Sequence, residues 1–144
     1  MAKPTHVNFF KEDIRFRMHH AAVLPSWILK VIRKQKKVPG EINYIFCSDR
    51  YLLKMNRQYL HHSTYTDIIT FNTAEEKNLI SGDIFISAER VRQNAVLYQT
   101  TFSDELHRVM IHGILHLSGY RDKTVAEKKK MRAMEDGCLA LRNF

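Results

Sequence analysis

The sequence predicts an α+β fold in which a small mixed β-sheet is covered by helices. Short β-branched and aromatic segments alternate with helical patterns through the first two thirds of the chain, whereas the last third has helical periodicity almost throughout. The 144 residues are also enough to bury a core without disulfides. These observations predict one domain that spans residues 1–144.

The element order follows from periodicity and end signals. We expect, in chain order, a strand at 7–10, a helix at 25–37, a strand at 41–48, a helix at 49–60, strands at 67–72 and 82–87, and helices at 88–99, 104–118 and 125–141. Pro39-Gly40 is expected to stop the first helix, and Ser48 to cap the second. Thr124 and Glu127 have the spacing of a capping box at the start of the last helix.

Charge and cysteine content limit the possible partners and compartment. The 23 Lys+Arg outnumber the 15 Asp+Glu, giving a formal charge of +8, which favours a polyanionic partner such as nucleic acid. The basic clusters at 33–37 and 128–130 could equally be solvated helix faces. Cys47 and Cys138 form no CxxC pair, and no apolar run has membrane-spanning length. We therefore expect a cytoplasmic, soluble protein without a membrane partner.

The stretch HGILHLSGYRD, residues 112–122, predicts a metal site on a largely buried helix. His112 and His116 are four residues apart, so they lie on one helix face with Cβ atoms about 5–6 Å apart. Gly119 is expected to cap the helix in a left-handed conformation and to let the chain return with Asp122 as third ligand. Two imidazoles and a carboxylate leave a tetrahedral ion one open position, as in catalytic zinc sites. Nickel, manganese or iron could also occupy such a site.

Gly113 argues against a metallopeptidase. The spacing matches the HExxHxxGxxH pattern of zinc peptidases, in which the Glu after the first His takes a proton from water. Glycine cannot do so, and Glu105 lies two turns earlier on the helix, where a supporting structural role is expected. Peptidase activity is therefore disfavoured, and it would need a base recruited from elsewhere in the chain.

Several motifs in order make the chain similar to the YbeY family. HGILHLSGYRD (112–122), TYTDIITF (64–71) and SGDIFIS (81–87) resemble three segments of that family. The resemblance implies a single metal-dependent hydrolase domain with a zincin-like zinc site in a basic cleft. It further implies a single-strand-specific endoribonuclease that matures small-subunit (16S) ribosomal RNA and works with the small ribosomal subunit and its proteins during ribosome biogenesis.

The chain also departs from the family pattern. Asp122 stands where the family usually has a third His, and Leu60 where it often has an Arg, for which Arg57 could substitute. The cleft candidates implied by the resemblance are Arg57, Thr66, Asp67 and Asp83. Thr66 and Asp67 could instead only turn the chain before a strand, and Asp83 could be merely solubilising.

These departures keep a second hypothesis open. A metal-stabilised, non-catalytic assembly factor could bind ribosomal RNA or the ribosome without cutting it. If the chain is a nuclease, the RNA 2′-hydroxyl can serve as the nucleophile, which would leave 2′,3′-cyclic phosphate ends. Attack by water would leave 3′-hydroxyl or 5′-phosphate ends instead.

Overall fold

A computed structural model describes residues 6–144 of the chain. Its elements, in chain order, are β1 (His6–Lys11), α1 (Leu24–Lys34), β2 (Val38–Cys47), α2 (Asp49–Leu60), β3 (Ile68–Asn72), β4 (Leu79–Ser87), α3 (Ala88–Leu97), α4 (Phe102–Leu117) and α5 (Val125–Leu139). All occur in the predicted order, and their ends differ from the predicted ends by at most three residues.

The four strands form one mixed sheet in the order β1-β2-β4-β3. Strands β1, β2 and β4 are parallel, whereas β3 pairs antiparallel with β4 at one edge. Helix α1 connects β1 to β2, and α2 with β3 connects β2 to β4. The predicted α+β class with a mixed sheet is therefore confirmed.

Side-chain alternation along the strands gives the sheet two apolar faces. Tyr44 and Phe46 of β2 are fully buried in the main core, where they pack with α1, α4 and α5. The next residue, Cys47, points to the opposite face and packs with Leu52 of α2 in a smaller cluster. Most residues of helix α4 are therefore buried in the protein.

The predicted end of the first helix is wrong. Helix α1 ends at Lys34 because Lys36 adopts a left-handed conformation, with φ at 60°, and the Lys36 and Lys37 amides bond back to Arg33 and Ile32. Pro39 and Gly40 do not stop a helix; they lie within β2, where a register shift between Pro39 and Ile42 marks a bulge. A bulge is one of the few places where a sheet accommodates proline.

The two cysteines are free and buried. Burial raises the pKa of the Cys47 thiol to about 12, and that of Cys138 to about 11, so neither is a reactive thiolate at neutral pH. Within residues 6–144, no helix combines the length and the apolar character needed to cross a membrane.

Candidate metal centre

One polar stripe of α4 faces away from the sheet. The helix begins at Thr101, whose side chain accepts a hydrogen bond from the Asp104 amide, and its other faces are packed in the core. Arg108, His112 and His116 recur every four residues, so they lie along a single face. The side chains of His112 and His116 are 19% and 27% exposed, which leaves both accessible at the helix surface.

After α4 ends, the chain turns back toward the two histidines of that helix. Gly119 has φ at 103°, its amide bonds to the His116 carbonyl, and the Tyr120 amide bonds to the Leu115 carbonyl, which together form a Schellman motif. The predicted glycine cap is therefore confirmed. The predicted capping box of Thr124 and Glu127 is also present and starts α5. Between these two end signals lies Asp122.

This turn brings Asp122 against both histidines. Asp122 Oδ2 lies 3.2 Å from His112 Nε2 and 3.5 Å from His116 Nε2. Two ligand atoms bonded to one tetrahedral zinc are about 3.3 Å apart, given bonds of about 2.0–2.1 Å. Ligand atoms of all three residues lie within 4.8 Å of one another. The donor set and its spacing therefore fit a divalent ion, and these three residues can hold one.

A buried carboxylate of α5 fixes the orientation of His112. Glu135 Oε2 lies 2.5 Å from His112 Nδ1, while the Arg108 guanidinium donates to Glu135 Oε1 at 3.0 Å and to Asp136 Oδ1 at 2.6 Å. With Nδ1 engaged by Glu135, Nε2 of His112 is the nitrogen that faces Asp122 and the open groove. Such carboxylate–histidine pairs commonly orient metal ligands.

The electrostatic field at this point favours positive charge. Burial opposes protonation of His112, yet the hydrogen bond and charge of Glu135, with Asp122 and Asp67, raise its pKa overall. Burial also raises the pKa of Asp67, an effect that the positive charge of His112 partly offsets. The carboxylates that raise the pKa of His112 would also attract a metal cation.

The three candidate ligands lie in a groove made of two cavities. The α5-side cavity, of about 370 Å³, is lined by Asp67, Asn94, Tyr98, Glu105, Arg108, Val109, His112, Asp122, Lys128, Met131, Arg132 and Glu135. The β3-side cavity, of about 310 Å³, is lined by Leu60, Thr66, Asp67, Ile68, Ile69, Thr70, His112, His116 and Asp122. Asp67, His112 and Asp122 belong to both, so the cavities meet at the candidate centre.

The cleft candidates divide into two groups. Thr66 and Asp67 line the β3-side cavity, although the Thr66 hydroxyl donates to the Ile68 carbonyl and so also turns the chain. Arg57 and Asp83 line neither cavity. Asp83 instead accepts a hydrogen bond from Asn43 across the sheet. Leu60, which stands where the family often has an Arg, does line the β3-side cavity.

Gly113 lies where α4 packs closely on the sheet. A Cβ atom at this position would lie 3.0–3.1 Å from methyl carbons of Ile84 and Ile68, so α4 approaches the sheet closely here. A glutamate in its place would point into the core rather than toward His112 and His116. The glycine is therefore part of the contact between α4 and the sheet.

Comparison with known proteins shows the family of the chain. A family model described as Endoribonuclease YbeY matches residues 6–142. The chain belongs to the YbeY family. A relative from Cytophaga hutchinsonii, named Endoribonuclease YbeY, is 54% identical over 94% of this chain and 95% of its own. A relative of the same name from Flavobacterium psychrophilum is 48% identical over 92% of this chain and 94% of its own.

A solved structure supports the assignment of the fold. The solution structure of TM1509 from Thermotoga maritima superposes with a TM-score of 0.61 at 24% identity. The match covers 94% of this chain and 90% of that one. At this level of identity the likeness shows the fold alone.

Two residues of the site in this YbeY family member were missed in the sequence analysis. Arg108 lies one turn before His112 on the same face of α4, and Glu135 lies on the apolar stripe of α5 with Met131 and Cys138. A signal for Glu135 was present, because a carboxylate within a buried stripe needs a partner. The partner itself is decided by how α5 packs on α4.

Proposed function

We propose that this protein is a zinc-dependent, single-strand-specific endoribonuclease that matures small-subunit (16S) ribosomal RNA in the cytoplasm. The whole chain, 1–144, would act as one domain in contact with the small ribosomal subunit and its proteins. The observation that carries the proposal is the convergence of His112, His116 and Asp122 where two cavities meet, in a chain of an endoribonuclease family.

His112, His116 and Asp122 would hold the ion. A divalent ion there supplies a Lewis acid that can polarise a phosphodiester oxygen or lower the pKa of a water molecule. Glu135 keeps the His112 ring in one orientation, and the turn through Gly119 presents Asp122. Zinc is the first choice because two imidazoles and a carboxylate form a typical catalytic zinc donor set.

An RNA substrate carries its own nucleophile, so no base at position 113 is needed to activate a water molecule. The 2′-hydroxyl of the nucleotide before the scissile bond can attack the adjacent phosphate and lose its proton to solvent, while the bond from phosphorus to the 5′-oxygen breaks and the downstream fragment leaves with a 5′-hydroxyl. The protein then has to align the RNA backbone and stabilise the developing negative charge. The absence of a glutamate at Gly113, which disfavours peptide hydrolysis, is compatible with this route. Cleaved fragments should then carry 2′,3′-cyclic phosphate ends, and 3′-hydroxyl ends would rule the route out.

The test combines metal content with cleavage. Wild type, His116→Ala and Asp122→Ala would be purified without affinity tags, analysed for bound metal, and incubated with single-stranded and duplex RNA with and without a chelator. We expect about one equivalent of metal in wild type, and loss of both metal and cleavage in the two variants. His19→Ala is the control, because His19 is exposed and lies outside the groove.

The outcomes separate nuclease from assembly factor. Cleavage of single-stranded RNA that stops on chelation supports the proposal. A wild type that binds metal and RNA but never cuts would overturn it and favour the non-catalytic assembly factor. Equal cleavage by wild type and Asp122→Ala would also contradict the assignment of Asp122 as a ligand.

A further inference from the structure

The two sides of the groove differ in charge. Among the residues that the structure describes, no lysine or arginine lines the β3-side cavity, whereas Arg108, Lys128 and Arg132 line the α5-side cavity. Arg108 is neutralised by its bonds to Glu135 and Asp136. Lys128 and Arg132 are exposed and make no ion pair within residues 6–144.

Helix geometry selects these two cations from the basic run of α5. Lys128 and Arg132 are four residues apart and therefore lie on one face, toward the groove. Lys129 and Lys130 do not line the cavity, and the Lys130 ammonium lies 5.5 Å from the centre of the Tyr120 ring. Of the three lysines at 128–130, only Lys128 thus lines the groove, and the other two lie on the exposed surface of α5.

The end of α3 adds an aromatic ring to the α5-side cavity. Asn94 and Tyr98 lie one turn apart at the end of α3, and the Tyr98 side chain is largely exposed, at 57%. Tyr98 and Arg132 also line a third cavity of about 300 Å³, which continues the path beyond the α5-side cavity. Cavities of this size accept small ligands, and a single nucleotide is of that order.

We propose that Lys128, Arg132 and Tyr98 form a nucleotide-binding subsite for single-stranded RNA beside the candidate metal centre. Lys128 and Arg132 bind backbone phosphates, and the Tyr98 ring stacks on an unpaired base. This inference rests on the proposed function, since it places the RNA strand beside the candidate metal centre in the α5-side cavity rather than in the β3-side cavity. Stacking needs a base free of a pairing partner, so the subsite would contribute to single-strand preference.

The acidic residues of the same cavity do not conflict with a phosphate at its rim. Of the four that line it, Asp67 and Asp122 lie at the candidate metal centre, where a bound cation would offset their charge. Glu105 and Glu135 are each 5% exposed and form its buried floor, and Glu135 is already bonded to Arg108 and His112. The two free cations, by contrast, are on the exposed edge. The groove therefore separates a floor suited to a metal ion from a rim suited to a polyanion.

Binding of a nuclease-resistant RNA tests the subsite apart from cleavage. The probe is a fluorescent 2′-O-methyl oligonucleotide of about 12 nucleotides, and affinity is measured by anisotropy across a salt series. For Lys128→Ala/Arg132→Ala we expect weaker binding, with the log–log salt slope reduced by about 1.4, since each lost phosphate contact on a single strand accounts for about 0.7. For Tyr98→Ala we expect about tenfold weaker binding, with the slope unchanged.

Matched controls make the result specific. Arg33→Ala/Lys129→Ala removes one arginine and one lysine from exposed helix positions outside the groove, so its salt slope should equal that of wild type. A duplex probe should lose affinity in Lys128→Ala/Arg132→Ala but not in Tyr98→Ala. Equal effects of the groove and control double variants, or a Tyr98→Ala variant that binds like wild type, would overturn the subsite.

Cleavage assays distinguish failure of the subsite from failure of the proposed function. If wild type cuts RNA and the groove variants leave both KM and oligonucleotide affinity unchanged, the subsite is wrong and the nuclease stands. If wild type never cuts, yet binding depends on Lys128, Arg132 and Tyr98, the subsite stands and the nuclease is wrong. A rise in KM with kcat little changed supports both, because the subsite contacts lie away from the scissile bond.

Discussion

Glu135 shows how one buried side chain links two helices to the candidate metal centre. It accepts from Arg108 through one oxygen and contacts His112 Nδ1 through the other. The Arg108 guanidinium in turn reaches Asp136, so its charge is shared by two carboxylates of α5. Glu135 and Asp136 both bind Arg108, but only Glu135 contacts a candidate metal ligand. Substitutions at these two positions can therefore be compared directly.

Glu135→Gln should weaken zinc binding by about 10- to 100-fold, because the amide keeps the shape but removes the charge that orients His112 and strengthens its Nε2 as a donor. Competition with a chromogenic chelator measures the affinity. Asp136→Asn is the control, since it removes a partner of Arg108 without touching His112. Equal zinc affinities for the two variants would show that Glu135 acts only through Arg108.

His107 gives the fold a pH dependence of its own. Burial, with the charges of Arg142 and His20, lowers its pKa from 6.5 to about 4, and the Arg142 guanidinium, which can only donate, bonds to its Nδ1 at 2.8 Å. The native state therefore keeps this imidazole neutral. The unfolded chain binds a proton at higher pH than the native chain, so this stability is present above pH 6.5 and is lost as pH falls toward 4.

Between pH 7 and pH 5, this residue should lower the free energy of unfolding by about 2 kcal/mol. His107→Leu places an apolar side chain beside Trp27 that cannot titrate. The free energy of unfolding of this variant should therefore change by that much less between the two pH values. Urea unfolding of both proteins at the two pH values measures the difference. Parallel pH dependences for wild type and variant would show that His107 is not the titrating group.

At the scale of the element, α4 combines close packing on the sheet with presentation of a metal-binding face. Gly113 allows the close approach to Ile68 and Ile84, while the neighbouring His112 points the other way, into the groove. The two requirements are met by adjacent residues because successive helix positions are about 100° apart. A longer side chain at position 113 would separate α4 from the sheet and move both histidines.

Gly113→Glu should destabilise the protein by about 3–5 kcal/mol or more, because it forces an unpaired carboxylate into a filled interface. It should not create peptidase activity. The contrasting substitution is Gly137→Ala in α5, where no atom lies within 4 Å of the added Cβ and stability should rise by up to about 1 kcal/mol. Thermal unfolding of both variants decides this, and a folded Gly113→Glu protein of normal stability would contradict the packing argument.

At the scale of the whole molecule, the core does not depend on the candidate metal centre. The main cluster joins the sheet, α1, α4 and α5 through residues such as Tyr44, Phe46 and Met110, which are fully buried. The three candidate ligands lie at its edge, with side chains 19–37% exposed. A metal ion bound by His112, His116 and Asp122 would link α4 to the turn that follows it. We expect this link to add stability to a protein that already folds without it.

Removal of metal should therefore leave a folded protein. After chelation we expect an unchanged far-ultraviolet circular dichroism spectrum and a lower Tm. Zinc at a hundredfold excess over its Kd should add about 2.7 kcal/mol to the free energy of unfolding. His116→Ala should show no such zinc-dependent rise in Tm. Loss of helical signal on chelation at room temperature would mean that the ion is needed for folding.

Local signals were enough for the element order and for the choice of candidate ligands. Periodicity placed His112 and His116 on one helix face, Gly119 predicted the left-handed cap, and Thr124 predicted the capping box, because these features depend on residues within a few positions of one another. The end of α1 was missed because Lys36 adopts a conformation that glycine usually supplies, and Pro39-Gly40 gave a stronger but misleading stop signal.

The sequence by itself determined the fold class, the family resemblance and the spacing of three candidate ligands. Only the tertiary structure decided that Glu135 meets His112, that Gly113 lies against the sheet, and that Lys128 rather than Lys129 faces the groove. It also showed that Arg57 and Asp83 lie outside both cavities. These facts depend on how α5, α3 and the sheet are placed around α4, through contacts between residues far apart in the chain, which no local pattern records.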